Sequence, residues 1–109
     1  KGDILIVEDN QELRFFIKTI FIQHFNVIEA ENGIIGLEKS KKYLPDIIIS
    51  DVMMPEKDGI EMVRELREDM STSHIPIVML TAKSTIESRI GGSGIRADDY
   101  ITKPFSAAT

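Results

Sequence analysis

The stretch Ile47-Ile48-Ile49-Ser50-Asp51 follows Pro45 and runs from three consecutive apolar residues to an aspartate. Consecutive apolar positions are typical of a strand that is covered on both faces, as the strands of a parallel sheet are. Four other short segments on either side of it are also predicted to be strands: residues 4–7, 26–29, 77–80 and 100–102. Together with residues 47–50, they predict a sheet of five short strands.

Segments with helical spacing separate the predicted strands. After the first strand, Asp9 and Asn10 offer side chains for a helix N-cap, and apolar residues then recur along one helix face: Leu13, Phe16, Ile17, Ile20 and Phe21. Further helices are predicted over residues 34–41, 60–67 and 85–90, and Asn32-Gly33 is predicted to be a turn. The order βαβαβαβαβ predicts an α/β fold with a doubly wound five-stranded parallel sheet and right-handed crossovers.

Length and composition limit the classes of function. The 109 residues predict a single domain over residues 1–109. The net charge of -5 and the lack of a basic stripe argue against direct binding to nucleic acid by this domain, and Lys39, Lys41 and Lys42 are expected to form a solvated helix face. No apolar run approaches the ~20 residues that span a bilayer, so no membrane contact by this domain is expected. The absence of cysteine suits the cytoplasm and excludes thiolate metal sites.

Two features near the C-terminus affect the predicted helices. Only four residues follow Phe105, which is too few for a closing helix of about 11–12 residues, so a fifth helix is expected to be truncated or absent. Gly91, Gly92 and Gly94 disfavour a long fourth helix. The sheet face that a fifth helix would cover is expected to promote self-association.

Polar residues stand where the predicted strands end. Glu8 and Asp9 follow the first strand, Asp51 the third, Thr81 the fourth and Lys103 the fifth. Each has an ordinary explanation by itself, such as helix capping for Asp9 and Thr81. In an open parallel sheet, however, the crevice beyond the carboxyl ends of the strands is the usual ligand site. The five residues together therefore predict a polar site.

The charges of these residues indicate the chemistry of the site. Three carboxylates repel one another, and Lys103 together with a divalent cation would balance them. Oxygen ligands favour Mg²⁺ over Zn²⁺, and the two histidines are expected elsewhere, His24 on the first helix and His74 before the fourth strand. Mg²⁺ beside an aspartate suits phosphoryl transfer to the carboxylate, with a hydroxyl and an ammonium holding the phosphoryl oxygens.

Four segments resemble the signature segments of response-regulator receiver domains of bacterial two-component systems. They occur in the order of that family and with its approximate spacings: residues 7–10 (Val-Glu-Asp-Asn), 50–59 (Ser-Asp-Val-Met-Met-Pro followed by Asp58-Gly59), 80–82 (Leu-Thr-Ala) and 98–105 (Asp-Asp-Tyr-Ile-Thr-Lys-Pro-Phe). The resemblance covers the chain up to Phe105. It implies a flavodoxin-like (CheY-like) fold with strand order 2-1-3-4-5.

The same resemblance assigns roles by position. It implies that Asp51 is the phosphoacceptor, and that Mg²⁺ is bound by Glu8, Asp9, Asp51 and the backbone carbonyl of Met53. Thr81 corresponds to the switch hydroxyl and Tyr100 to the switch aromatic ring, which turns inward when Thr81 moves toward the phosphoryl group. Lys103 corresponds to the lysine that pairs with the phosphoryl group, and Lys103-Pro104 to the cis peptide bond of the family.

The implied function is phosphorelay signal transduction. A histidine kinase or its phosphotransfer domain would donate the phosphoryl group, and the chain would catalyse only its own phosphorylation and dephosphorylation. The face formed by the fourth helix and fifth strand is the implied output surface and a candidate homodimer surface. The segments around Met53 and Thr102 are similar to receivers of hybrid sensor kinases. One departure is Arg96-Ala97, which replaces the usual Gly-Ala.

Three other functions are compatible with the predicted fold. An aspartate-nucleophile phosphatase would carry an Asp-x-Asp pair at the first strand, whereas this chain has Glu8-Asp9 there. A flavin or nucleotide binder would need a phosphate cradle in place of the acidic loops. A degenerate receiver that acts only as an interaction module would not need the complete set of site residues.

Overall fold

The computed structural model describes residues 1–52, 54, 56–81 and 99–102, with Thr81 and residues 99–102 described by their places in the strands. Its elements are, in chain order, β1 (Gly2–Val7), α1 (Gln11–Phe21), β2 (Phe25–Ala30), α2 (Gly33–Tyr43), β3 (Ile47–Asp51), α3 (Gly59–Glu68), β4 (Ile77–Thr81) and β5 (Asp99–Thr102). All five predicted strands and the first three predicted helices are confirmed. The predicted fourth helix (residues 85–90), the glycines at 91, 92 and 94, and the proposed loss of a fifth helix lie outside the described residues.

The five strands form one parallel sheet in the order β2-β1-β3-β4-β5, which confirms the predicted flavodoxin-like fold. In this register, Val7 of β1 pairs with Ser50 of β3, and Asp51 pairs with Leu80 of β4. The carboxyl ends of these strands therefore lie along the same edge of the sheet. None of the helices in the described ranges is long and apolar enough to cross a bilayer.

Two apolar cores lie on opposite faces of the sheet. Alternate residues of β1 point to opposite sides, so Leu5 and Val7 pack with α2 and α3, whereas Ile4 and Ile6 pack with α1. All four of these side chains are fully buried. Burying one such side chain contributes about 1.5–3 kcal/mol. This burial on both faces holds β1 and β3, and with them the polar residues at their carboxyl ends, in a fixed register.

Side-chain caps set where the three helices begin. Asn10, Asn32 and Asp58 each accept a hydrogen bond from the backbone N–H three residues later, at 2.9–3.0 Å. Asn32-Gly33 is therefore the start of α2 and not the predicted turn, because the Asn32 side chain satisfies an N–H group that the first turn leaves unpaired.

One smaller prediction about α1 was wrong. His24 lies in the turn after the helix, where its backbone N–H donates to the Phe21 carbonyl at 3.0 Å. Phe16, which helical spacing grouped with the apolar face, is 37% exposed, whereas Ile17 is 2% exposed. Helical spacing predicted the helix correctly, but it did not define which apolar residues reach the sheet.

Leu44 ends α2 in a strained conformation. Its φ of 48° lies in the left-handed region, and the residue after it is Pro45. A side chain at such a position costs about 1 kcal/mol that glycine avoids. Leu44 is also 51% exposed, so little apolar burial is lost on its removal.

We therefore expect Leu44→Gly to raise the free energy of unfolding by about 0.5–1 kcal/mol, the lower figure reflecting the greater freedom of glycine in the unfolded chain. Urea unfolding followed by circular dichroism measures the change. Leu44→Ala is the matched control, because alanine removes the same side-chain contacts but keeps a Cβ atom in the left-handed region. A glycine variant no more stable than the alanine variant would contradict the prediction.

Candidate functional site

Three carboxylates meet where β1 and β3 end. Glu8 directly follows β1 and is 1% exposed, Asp51 ends β3 and is 6% exposed, and Asp9 lies at the surface. One carboxylate oxygen from each residue lies within 4.8 Å of the other two. The structure thus brings together the three acidic residues that the sequence predicted for one site.

The donor set fits a small divalent cation. Two oxygen ligands of one Mg²⁺ ion are at most about 4 Å apart, so three oxygens that lie within 4.8 Å of one another need only a small adjustment to share an ion. All three donors are hard carboxylate oxygens, and neither a histidine nor a cysteine belongs to the group in the described residues. This set suits Mg²⁺ and not Zn²⁺. A bound cation would also reduce the repulsion among the carboxylates.

Hydrogen bonds fix Glu8 on both its backbone and its side chain. Its backbone N–H donates to the Ala30 carbonyl of β2 at 3.0 Å, and its carbonyl accepts from Arg14 Nη1 of α1 at 2.8 Å. Its Oε2 atom accepts from the Asn10 backbone N–H at 3.1 Å. Because Asn10 caps α1, the start of this helix and the position of the Glu8 carboxylate are set by the same short loop.

The backbone around Asp51 is held by the neighbouring strand β4 and by the start of α3. The carbonyl of Asp51 accepts from Ser50 Oγ at 2.9 Å, and the next residue, Val52, donates its N–H to the Leu80 carbonyl of β4 at 3.1 Å. Val52 also accepts from the Gly59 N–H at 2.8 Å, which ties the start of α3 to the end of β3. Asp51 therefore sits on rigid backbone at the crevice.

The loop from β3 to α3 rests on the start of α2. The Gly33 N–H donates to the Lys57 carbonyl at 3.0 Å, and Asn32 Nδ2 donates to Glu56 Oε2 at 3.2 Å. Lys57 Nζ donates to Glu65 of α3, and this hydrogen bond raises the pKa of Lys57 above its ordinary value. Residues 56 and 57 of the loop that follows Asp51 are thus anchored to both helices on their side of the sheet.

The structure describes the other predicted site residues only in part. Thr81 is the last residue of β4 and pairs with Thr102 of β5, so the carboxyl ends of β4 and β5 lie at the same sheet edge as Asp51. Tyr100 lies in β5 beside Met79. The side chains of Thr81 and Tyr100 lie outside the described residues, as do Met53, Lys103 and the Lys103-Pro104 peptide bond. Their roles remain predictions.

The sequence did not predict a group of interacting charged residues on α1, β2 and α2, next to the acidic cluster. Arg14 Nε and Lys18 Nζ of α1 approach the Glu29 carboxylate of β2 at 3.1 and 3.4 Å. Lys39, which we expected on a solvated face, is partly buried and donates from Nζ to the Glu29 carbonyl at 2.6 Å. Arg14 is one helical turn after the capping residue Asn10, a spacing that could have indicated contact with the loop.

A family model described as response regulator receiver domain matches residues 4–109. The chain is 48% identical over 106 residues to a histidine kinase of Formosa agariphila, and the match covers 97% of this chain and 8% of that protein. The chain spans less than half the length of the curated relatives that it matches here: it covers 8% of this kinase and 46% of a response regulator of Staphylococcus aureus, to which it is 42% identical over 103 residues.

Two solved structures share the fold over nearly the whole chain. The signal receiver domain of a signal transduction histidine kinase from Syntrophus aciditrophicus superposes with a TM-score of 0.90 at 34% identity, covering 99% of this chain and 83% of that one. The receiver domain of a sensor histidine kinase from Pseudomonas aeruginosa gives a TM-score of 0.87 at 28% identity, covering 98% and 88%, and has a magnesium ion coordinated in its active site cleft.

Proposed function

Because this chain belongs to the response regulator receiver domain family, we propose that Asp51 accepts a phosphoryl group from a histidine kinase or its phosphotransfer domain. The observation that carries the proposal is the convergence of Glu8, Asp9 and Asp51 within 4.8 Å at the carboxyl ends of β1 and β3. Family membership places the chain in two-component signalling. The assignment of the phosphoacceptor and the metal ligands to these residues is the step that we propose.

Asp51 is the nucleophile in this proposal. One of its carboxylate oxygens attacks phosphorus, the P–N bond of the donor phosphohistidine breaks, and the bonding electrons leave with the imidazole. The product is an acyl phosphate on Asp51. Burial of the Asp51 side chain to 6% exposure and the hydrogen bonds to its backbone hold the attacking oxygen in place, which lowers the entropic cost of the reaction.

Glu8 and Asp9 would hold Mg²⁺ together with Asp51, and the backbone carbonyl of Met53 is the proposed further ligand. When bound, the metal supplies positive charge to the phosphoryl oxygens. Glu8 is fixed by three hydrogen bonds, so it provides a preformed ligand, whereas the exposed Asp9 lies where the ion would enter. We assign Thr81 and Lys103 to the remaining phosphoryl oxygens, Thr81 through its hydroxyl and Lys103 through its ammonium.

The proposed output is a change of surface around β5. A phosphoryl dianion near the end of β4 would attract the Thr81 hydroxyl, and Tyr100 of β5 would follow into the space that Thr81 leaves. We further propose that the fourth helix and β5 form the regulated contact surface, including a surface for a homodimer. In this proposal the domain, residues 1–109, acts in the cytoplasm, binds neither nucleic acid nor membrane itself, and turns over no external substrate.

The relatives support a kinase as the partner. Histidine kinases are among the matched proteins, and this chain covers 8% of the one from Formosa agariphila. The match of a short domain to a small part of a long kinase supports the proposal that the chain is a receiver of a hybrid sensor kinase. The phosphatase alternative is disfavoured because the nucleophile candidate Asp51 ends β3, whereas β1 is followed by Glu8-Asp9.

Phosphorylation by a small phosphodonor tests the proposal. We expect the chain to gain the mass of one phosphoryl group when incubated with acetyl phosphate and Mg²⁺, and to gain none when EDTA removes the metal. Intact-mass spectrometry measures the gain, and fragmentation of the proteolytic peptide that contains Asp51 locates it. Phosphorylation that proceeds equally in EDTA, or that lies on another residue, would refute the proposed site.

A further inference from the structure

We infer that Arg14 is a positioning residue for the metal-binding pair Glu8 and Asp9, an inference that rests on the proposed function of that pair. Arg14 does not belong to the acidic cluster itself. Its guanidinium instead binds the backbone that carries the cluster. Arg14 Nη1 donates to the Glu8 carbonyl at 2.8 Å, while Arg14 Nε lies 3.1 Å from Glu29 Oε1. One side chain thus joins the β1–α1 loop to β2.

The anchor at the other end of this bridge is itself rigid. Glu29 pairs with Ile6 of β1, its carbonyl accepts from Lys39 Nζ at 2.6 Å, and its carboxylate also binds Lys18. The Arg14 side chain is 16% exposed and the Glu29 side chain 37% exposed, so the guanidinium is the better shielded partner of this ion pair. The Arg14 guanidinium is therefore a charged donor to the Glu8 carbonyl whose other side is held by Glu29. A charged hydrogen bond in such a position is stronger than a neutral one.

The position of the bridge determines the consequence for the metal ligands. The Glu8 peptide lies between the two carboxylates that would bind Mg²⁺, because its carbonyl belongs to the bond that joins Glu8 to Asp9. Without Arg14, the Glu8 carbonyl is no longer linked to Glu29. The loop between β1 and Asn10 then loses this connection to β2. Metal binding would then have to order the loop, and that entropic cost weakens the affinity. Substituting a residue that hydrogen-bonds a metal ligand directly commonly weakens metal affinity by about tenfold or more. Arg14 acts one step further away, through the Glu8 backbone carbonyl, so a somewhat smaller effect is expected.

Electrostatics alone predicts the opposite effect. Arg14 is positive, and removing a positive charge near a cation site strengthens the attraction between the remaining carboxylates and Mg²⁺. Lys18 provides the matched comparison, because it has the same charge and also binds Glu29 but makes no hydrogen bond to the Glu8 carbonyl. A positioning role and a purely electrostatic role therefore differ in the sign of the change for Arg14.

The shape of the guanidinium group suggests a second comparison. Arg14 uses two different nitrogens to contact two acceptors, one on Glu8 and one on Glu29. A lysine has one nitrogen at the end of its side chain and cannot reproduce this fixed fork. Arg14→Lys keeps the charge but weakens the bridge, so it is expected to have an affinity for Mg²⁺ between those of the wild type and Arg14→Met.

The test compares Mg²⁺ dissociation constants by isothermal titration calorimetry for the wild type and four variants: Arg14→Met, Arg14→Lys, Lys18→Met and Asp9→Asn. We expect Arg14→Met to weaken Mg²⁺ binding about three- to tenfold, and Lys18→Met to leave it unchanged or slightly tighter. Circular dichroism at the titration temperature verifies that each variant is folded. Amide NMR gives a local readout, because the Asn10 N–H donates to Glu8, and its signal should shift and exchange faster in Arg14→Met but not in Lys18→Met.

The outcomes distinguish an error in the role of Arg14 from an error in the proposed metal site. If Asp9→Asn binds Mg²⁺ as well as the wild type does, the proposed metal site is wrong. If Asp9→Asn loses affinity but Arg14→Met equals or exceeds the wild type, the metal site stands and the positioning role of Arg14 is refuted. Equal weakening in Arg14→Met and Lys18→Met would also refute it, because the effect would then come from the loss of the Glu29 ion pairs.

Discussion

Asp51→Asn is expected to abolish Mg²⁺-dependent phosphorylation and, at the same time, to stabilise the metal-free protein. Asparagine has no carboxylate to form the acyl phosphate, so the first effect is complete loss. The second effect follows from the crowding of Glu8, Asp9 and Asp51, whose oxygens lie within 4.8 Å of one another. Two unit charges at that distance repel by about 3 kcal/mol at an effective dielectric constant of about 20.

Without metal, the expected gain in the free energy of unfolding is about 1–2 kcal/mol. It is smaller than the full repulsion because asparagine at position 51 also loses the favourable interactions that the carboxylate makes. Guanidinium would screen the charges, so urea unfolding in EDTA is the appropriate measurement. Asp46→Asn is the matched control. It removes one negative charge at the opposite end of β3, where Asp46 is exposed and accepts a hydrogen bond from the Asp3 N–H. We expect it to be phosphorylated normally and to gain no stability.

Added Mg²⁺ should reverse the order of stability. A ligand that binds only the folded state stabilises by about 2.7 kcal/mol when its concentration is a hundred times its dissociation constant. Asp51→Asn retains Glu8 and Asp9 but has one fewer carboxylate ligand, so its stabilisation by Mg²⁺ should be smaller than that of the wild type. A variant that is less stable than the wild type in EDTA would contradict the view that carboxylate repulsion limits the stability of this site.

The sequence contained enough information to predict the sheet and the acidic residues. Consecutive apolar residues such as Ile47–Ile49 can be satisfied only by burial on both faces, and that burial specifies a central parallel strand. In such a sheet the residues at the end of each strand lie at the carboxyl edge. The strand order alone therefore predicts that Glu8 and Asp51 lie close together. These predictions depended on local pattern and a fixed strand direction.

Contacts between long polar side chains were not predictable in the same way. Lys39 was expected to be solvated, but it reaches the Glu29 carbonyl of β2, and Arg14 reaches the Glu8 carbonyl. Both contacts depend on the angle at which a helix lies on the sheet and on the rotamer of a flexible chain, neither of which is encoded in a short pattern. The exposure of Phe16 has a related cause, because helical spacing identifies the apolar face of a helix but not how much of that face the sheet covers.

Gly59 shows how closely the end of β3 is packed against the start of α3. A Cβ atom built on Gly59 would lie 2.2 Å from the Asp51 carbonyl oxygen and 3.1 Å from the Asp51 carbonyl carbon. Both neighbours are backbone atoms of a central strand, and they cannot move without breaking the sheet register. We therefore expect Gly59→Ala to lower the free energy of unfolding by about 3 kcal/mol.

The effect on the site should be as large as the effect on stability. To accommodate the methyl group, either α3 must move away or the Asp51 peptide must shift, and a shift of the attacking carboxylate slows phosphoryl transfer by about tenfold or more. The phosphorylation rate with acetyl phosphate and Mg²⁺, measured at a temperature where circular dichroism shows the variant folded, tests this step. A normal rate in a folded but destabilised variant would show that α3 moves and that Asp51 does not depend on this contact.

Gly36→Ala is the control because its Cβ would meet side chains and not backbone. The nearest atoms are Met62 Sδ at 2.8 Å and Val7 Cγ2 at 2.9 Å. A methionine side chain can adjust its rotamer, and alanine within α2 gains about 1 kcal/mol of helix propensity over glycine. We expect a loss of stability of about 1 kcal/mol or less and an unchanged phosphorylation rate. Equal losses in the two variants would mean that general crowding, and not contact with the Asp51 carbonyl, makes glycine necessary at position 59.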